Sequence, residues 1–209
     1  MKYDTFRTLF ASKQFFSFRD LLIHVPDFDK KQLTRWVQNN KIRRITRGWY
    51  TFLTEVDESW RMVFANSLIP WSYISCEFAL SFYSLIPEEA VMVTSVCTTK
   101  TLSRYLGVFG NYRYQSIAPQ WLIGYTIIAW DIRMATPEKA LIDFLYYHAD
   151  YVLDDDFIGM RLIVETAQER MTPESLRTLT SIMKNKRLTK QIEAVIAFIW
   201  WRDHTHIRF

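Results

Sequence analysis

The sequence predicts an α+β protein. A winged helix-turn-helix is expected over residues 1–54, then a mixed α/β domain over 55–209 that turns helical from about residue 156. Three observations carry this. Residues 29–52, DKKQLTRWVQNNKIRRITRGWYTF, read as a capped basic helix running into a two-stranded β-ribbon. Residues 57–147 mix helical and strand-like apolar spacing. Charge is uneven: residues 1–54 hold 11 Lys+Arg against 4 Asp+Glu, and residues 55–209 hold 15 against 18. A basic head therefore precedes a mildly acidic body.

The head can be justified element by element. Residues 3–12 form a helix with Tyr3, Phe6, Leu9 and Phe10 on one side. Ser17 caps a second helix, whose Phe18, Leu21, Leu22 and Val25 repeat with helical spacing until Pro26 stops it. A short turn leads to Asp29, an N-cap that Gln32 completes as a capping box. In this third helix Leu33, Trp36 and Val37 face the core. Lys31, Thr34, Arg35 and Gln38 share the opposite side, where every residue can donate a hydrogen bond and none is acidic. Asn39-Asn40 ends the helix, and Arg43–Thr46 with Trp49–Phe52 make a hairpin around Arg47-Gly48, where glycine supplies a positive φ.

This order of parts places the third helix in a major groove and the ribbon against a neighbouring phosphate. The expected contacts with double-stranded DNA are Lys30, Lys31, Thr34, Arg35, Gln38, Lys41, Arg43, Arg44 and Arg47. Arg35 suits guanine and Gln38 suits adenine, each through two hydrogen bonds. Heads of this kind commonly bind inverted half-sites as two copies, which makes a homodimer on DNA a candidate. The bland alternative is a solvated basic face with no ligand.

In the body, Asp57–Leu68 reads as a helix closed by Pro70, and Ser75–Leu85 as another that buries Phe78, Leu80, Phe82 and Leu85. Val91–Cys97, Tyr112–Ile117 and Gly124–Trp130 are strand candidates. Thr136 at N-cap, Pro137 at N1 and Glu138 in the first turn open a helix whose stripe is Ala140, Leu141, Phe144 and Leu145. Three helices follow: Phe157–Arg170 behind Asp156, one capped by Thr172-Pro173-Glu174, and Thr189–Trp201. They can cover one face of the sheet or present a surface to a partner.

Tyr73-Ile-Ser-Cys-Glu-Phe-Ala-Leu-Ser-Phe-Tyr-Ser-Leu-Ile-Pro-Glu88, then Thr98-Thr99, then Ala135-Thr-Pro-Glu-Lys-Ala-Leu-Ile-Asp143 resemble the motifs of AbiEi-type antitoxins. The Arg47-Gly48-Trp49-Tyr50 stretch is similar to the Arg-Gly-x-Tyr signature in that family's wing. The resemblance covers roughly residues 5–150; Asn40-Lys41 departs from it where many members have glycine, and nothing after 155 takes part. It implies a type IV toxin–antitoxin role, linked to phage defence. The head would repress its own operon, and the second domain would counteract a nucleotidyltransferase-like toxin, by contact or functionally.

Composition bounds the rest. With 49% hydrophobic residues, 16% aromatics and only 5 Gly, packed cores are expected and long linkers are not. Apolar runs are too short to span a bilayer, and Lys2, Asp4 and Arg7 precede no apolar stretch of a signal peptide, so a cytoplasmic protein with Cys76 and Cys97 reduced is expected. No cofactor or metal is expected: His204 and His206 lack a third ligand, and Asp154-Asp155-Asp156 reads as a helix start. Glu138, Lys139 and Asp143 loosely echo nuclease carboxylate–lysine sets, but their place at the start of a capped helix explains them without catalysis. The basic head together with the family resemblance implies a DNA-binding antitoxin, and no catalytic constellation in the sequence points to an enzyme. A transcriptional regulator with a ligand-sensing or dimerising body is the alternative, and a nuclease is a third.

Overall fold

The computed structural model describes residues 1–201 and is α+β, its strands forming a sheet of three and a sheet of six. The chain divides into two compact units. The first holds Met1–Phe64 with Tyr105–Gly110, and the second holds Ala65–Arg104 with the described residues from Asn111 onward. This division falls ten residues beyond the 54/55 boundary expected from sequence. Trp60 and Phe64 account for it: their rings meet Phe15 at 5.5 and 5.2 Å, and Phe64 meets Trp49 at 5.5 Å.

In the first unit, α1 (Tyr3–Leu9), α2 (Phe18–His24) and α3 (Lys30–Gln38) close on a core of Phe6, Phe10, Phe16, Leu21, Phe28, Leu33, Trp36, Ile42 and Tyr50. α1 is shorter than the expected 3–12, and Leu9 is 44% exposed rather than inside, because Phe10 takes the inward place against Phe6 and Phe16. Ser17 and Asp20 form a full capping box on α2, each side chain accepting from the other's backbone N–H at 3.1 and 2.8 Å. On α3 the expected box is absent. Asp29 accepts from the Lys31 N–H at 2.9 Å, while the Gln32 carbonyl is drawn 3.5 Å from the N-terminal ammonium.

β1 (Phe16–Ser17), β2 (Arg43–Thr46) and β3 (Trp49–Thr51) form an antiparallel sheet in the order β1-β3-β2. Strand β1 was not anticipated, and β3 stops one residue before Phe52. A bulge between Arg44 and Thr46 shifts the β2–β3 register. Gly48 has φ +84°, as the two-residue turn requires, and its carbonyl accepts from the Phe18 N–H at 2.8 Å, tying the hairpin tip to the start of α2.

α4 (Glu58–Leu68) crosses the division between units, and its start is held by Asp57, which accepts from the Trp60 N–H at 2.7 Å. That bond holds the Asp57 carboxyl below its ordinary range. The stabilisation is therefore present above the usual carboxylate pKa and is lost as pH falls through the lowered native value.

The strands β4 (Tyr73–Ile74), β5 (Met92–Cys97), β6 (Leu102–Tyr105), β7 (Asn111–Ser116), β8 (Tyr125–Ile128) and β9 (Ile132–Ala135) lie in the order β6-β7-β5-β4-β9-β8. β5 runs parallel to β7 and β4 parallel to β9; β4–β5 and β8–β9 are antiparallel. The single strand expected over 124–130 is instead β8 followed by a reversal at Trp130 and Asp131, whose φ of +66° and +58° turn the chain into β9. α5 (Cys76–Phe82) ends three residues before the expected Leu85, near Ser84 at φ +57°. Cys76 and Cys97 are buried and free.

α6 (Pro137–Tyr147) starts where the sequence puts it, with the Thr136 hydroxyl accepting from the Lys139 N–H at 3.3 Å. The C-terminal region then departs from expectation. One helix over 157–170 is replaced by α7 (Asp154–Gly159) and α8 (Val164–Arg170), separated at Arg161 with φ +55°. Asp156 is not the N-cap; it sits in the first turn and accepts from the Val152 and Leu153 N–H groups at 2.8 and 2.7 Å, which lowers its pKa. α9 (Pro173–Met183) is capped by Thr172, and α10 (Lys186–Ile196) begins three residues before the expected Thr189, behind Asn185. Both pack against α6, and Arg177 joins them by two bonds to Glu193 at 2.8 and 2.7 Å. No helix among the described residues is long and apolar enough to cross a membrane. His204 and His206 lie outside the described residues.

Candidate nucleic-acid interface

Residues 30–54 contain seven Lys and Arg and not one Asp or Glu. The fold sorts this segment cleanly. Leu33 and Trp36 of α3 are buried and Val37 is half-buried, so the helix is anchored from one side. The Trp36 ring packs in tilted contact 4.5 Å from Phe6 and 5.7 Å from Phe28. That anchoring leaves Lys30, Lys31, Thr34, Arg35 and Gln38 exposed on α3, Lys41 exposed in the turn that follows, Arg43 and Arg44 exposed on β2, and Arg47 exposed at the hairpin tip. All nine residues expected to touch DNA are thus on the surface of one unit.

Four of the nine are steadied within that unit. Lys30 lies 5.3 Å over the Phe18 ring and Lys41 4.6 Å over the Tyr3 ring. Arg43 donates to the Thr54 carbonyl at 3.2 Å and Arg44 to the Thr46 carbonyl at 3.3 Å. Lys31, Thr34, Arg35, Gln38 and Arg47 make no side-chain hydrogen bond or ion pair among the described residues. None of the seven cations meets a carboxylate there.

The start of α3 sharpens the point. A helix N-terminus carries partial positive charge, so lysines in the first turn oppose it by roughly 0.3–1 kcal/mol each. α3 has Lys30 and Lys31 there and no acid beyond its Asp29 cap. Stability alone would place Glu at one of these positions. The same positive pole adds to the lysines as an attraction for an incoming phosphate. Arg19 on α2 is exposed as well, and the apolar periodicity of that helix, which marks its buried side, gives no sign of it.

No protein-family model matches the chain, and no curated protein does.

A second cluster of charged residues lies in the other unit and has a different character. Lys139 and Asp143, one turn apart on α6, form an ion pair that is 1% and 0% exposed. Tyr73 accepts from Lys139 at 2.8 Å and donates to the other Asp143 oxygen at 2.8 Å; Ser75 donates to that oxygen at 2.7 Å. Tyr125 stacks on Tyr73 at 5.1 Å. Burial pushes the Tyr73 hydroxyl and the Cys76 thiol well above their ordinary pKa values, so both stay neutral. The cluster is closed to solvent and its polar atoms answer one another, which suits a structural pair rather than one that meets a substrate. Glu138 does not belong to it. Among the described residues no group of three or more His, Cys, Asp or Glu side chains could hold a metal ion.

Gly124 supports this cluster from the sheet. It has φ +71°, its carbonyl accepts from the Thr136 N–H at 2.9 Å, and a Cβ there would come within 3.0 Å of the Lys139 stem. Gly124→Ala is therefore expected to cost about 1–3 kcal/mol through the left-handed backbone and the displaced lysine. A urea-denaturation midpoint equal to that of the parent would refute it.

Proposed function

We propose that this chain is a DNA-binding antitoxin of a type IV toxin–antitoxin system, whose N-terminal winged helix-turn-helix represses its own operon. The observation that carries the DNA reading is the exposed, acid-free surface made by α3, the turn at Lys41 and the β2–β3 hairpin. α2 and α3 are the helix-turn-helix, and the hairpin tipped by Arg47 is the wing. Arg35 and Gln38 read base edges from the exposed side of α3. Lys30, Lys31, Lys41, Arg43, Arg44 and Arg47 hold phosphates, and Thr34 adds a neutral donor.

The antitoxin half of the proposal is supported by the likeness of Tyr73–Glu88 and Ala135–Asp143 to the AbiEi motifs. These two stretches meet in the fold through the Tyr73, Ser75, Lys139 and Asp143 cluster. We read the body as non-enzymatic and as the part that counteracts a nucleotidyltransferase-like toxin. A ligand-sensing body is the alternative; in the cleft of about 270 Å³ lined by α9 and α10, the two charged residues, Arg177 and Glu193, already bind each other.

Salt titration of binding to the DNA upstream of the chain's own gene tests the reading. Affinity should fall steeply, by roughly 0.9 log unit per log unit of salt for each phosphate contact. A flat response would remove the basic surface from the interface. For the antitoxin half, co-expression with the product of a neighbouring nucleotidyltransferase gene should restore growth.

A further inference from the structure

Sheet edges expose unpaired backbone N–H and C=O groups, and folded proteins protect them with shortness, charge or bulges. Three of the four edges among the described residues follow that rule. β1 is two residues long, β2 carries Arg43, Arg44 and a bulge, and β6 carries exposed Arg104. The fourth edge, β8, has none of these protections. It reads Tyr125-Thr126-Ile127-Ile128, it pairs only with β9 among the described residues, and the seventeen residues from Tyr114 to Trp130 contain no charge. Ile127 is 65% exposed and Thr126 is exposed beside it.

Two exposed tryptophans lie at the same end of the six-stranded sheet, Trp130 next to β8 and Trp71 two strands in, before β4. The register Ile74↔Met134 sets Trp71, before β4, alongside the turn that carries Trp130 into β9. They are 75% and 73% exposed, and both adopt left-handed φ, +62° and +66°. A non-glycine residue held there costs free energy that solvent exposure of an indole does nothing to recover. Large aromatics of this kind are the residues that anchor protein interfaces.

We propose that β8 is a dimerisation edge that pairs antiparallel with β8 of a second copy of this chain, extending the six-stranded sheet across a two-fold axis. The neutrality of the strand selects this occupant. An acidic or basic peptide would find no ion pair on residues 114–130, whereas a like strand sets β-branched Thr126, Ile127 and Ile128 against their own kind without charge conflict. The guarded β6 edge selects the stoichiometry. β8-to-β6 stacking would place a neutral strand against the exposed charge of Arg104, while β8-to-β8 pairing uses the one open edge of each chain and closes at two. The inference needs nothing from the DNA reading.

Sedimentation velocity of the full chain, free of DNA, tests it from roughly 1 to 100 µM, the range in which a short edge interface associates. The expected result is a rise from the mass of one chain to that of two, abolished by Ile127→Lys, with an unchanged circular dichroism spectrum. Hydrogen exchange supplies an independent readout on the parent protein: amides of Thr126–Ile128 should exchange more slowly at the high concentration. A monomer throughout, or a dimer that survives Ile127→Lys, overturns the proposal, as do β8 amides whose exchange ignores concentration.

Discussion

Asp143→Ala should cost about 3–5 kcal/mol of folding stability, the largest effect expected of any single change in this chain. The carboxylate is 0% exposed and answers three donors: the Lys139 ammonium, the Tyr73 hydroxyl at 2.8 Å and the Ser75 hydroxyl at 2.7 Å. Truncation removes the attraction and leaves an ammonium 1% exposed with only the Tyr73 oxygen to accept from it. The loss is mostly the penalty of that stranded charge rather than the net worth of the pair. A second variant separates the two. Lys139→Met combined with Asp143→Leu removes both charges and keeps the volume, so it should cost less than Asp143→Ala alone. Urea unfolding with unchanged slope is the measurement. If Asp143→Ala shifts stability by under about 1 kcal/mol, water reaches the pair and it is not buried as described.

The same pair marks where the sequence stops being legible. Thr136-Pro137-Glu138 announces the start of α6 because a cap, a fixed φ and a first-turn acid act within four residues. The starts of α2 at Ser17 and α3 at Asp29 are readable for the same reason. What α6 buries is not readable locally. Lys139 meets Tyr73 across 66 positions, and Asp143 meets Tyr73 and Ser75 across 70 and 68. From the sequence alone the two residues pass for a solvated pair one turn apart near the start of a capped helix. Strands β4 and β9 fail for a related reason: two and four residues long, they exist through each other and through β5 and β8, not through alternation of their own. The break between α7 and α8 at Arg161 is hidden because nothing in Arg161 itself signals a left-handed backbone. The candidate interface was the more legible part. Exposure on a small helical head follows from which residues its apolar stripe claims, and Leu33 and Trp36 claim the inner side of α3.

Arg35→Ala should weaken operator binding by about 1–3 kcal/mol, roughly 5- to 150-fold, and relax specificity at one base pair. Arg35 stands one turn after Lys31 and three residues before Gln38 on the exposed side of α3, and it has no side-chain partner among the described residues to give up on binding. Its guanidinium can therefore take two acceptors on guanine without first breaking a bond inside the protein. Folding stability should stay within about 0.5 kcal/mol of the parent, since an exposed side chain with no partner carries little of it. Arg47→Ala provides the contrast. Arg47 is exposed at the hairpin tip, and under the proposed reading it holds a phosphate, so its loss should lower affinity almost equally for every sequence and reduce the salt slope by about 1. The two variants thus separate reading from holding: one changes which DNA is preferred, the other how strongly salt competes. Were Arg35→Ala to leave the footprint and the sequence preference intact while Arg47→Ala altered them, the hairpin would be the reading element and α3 the support.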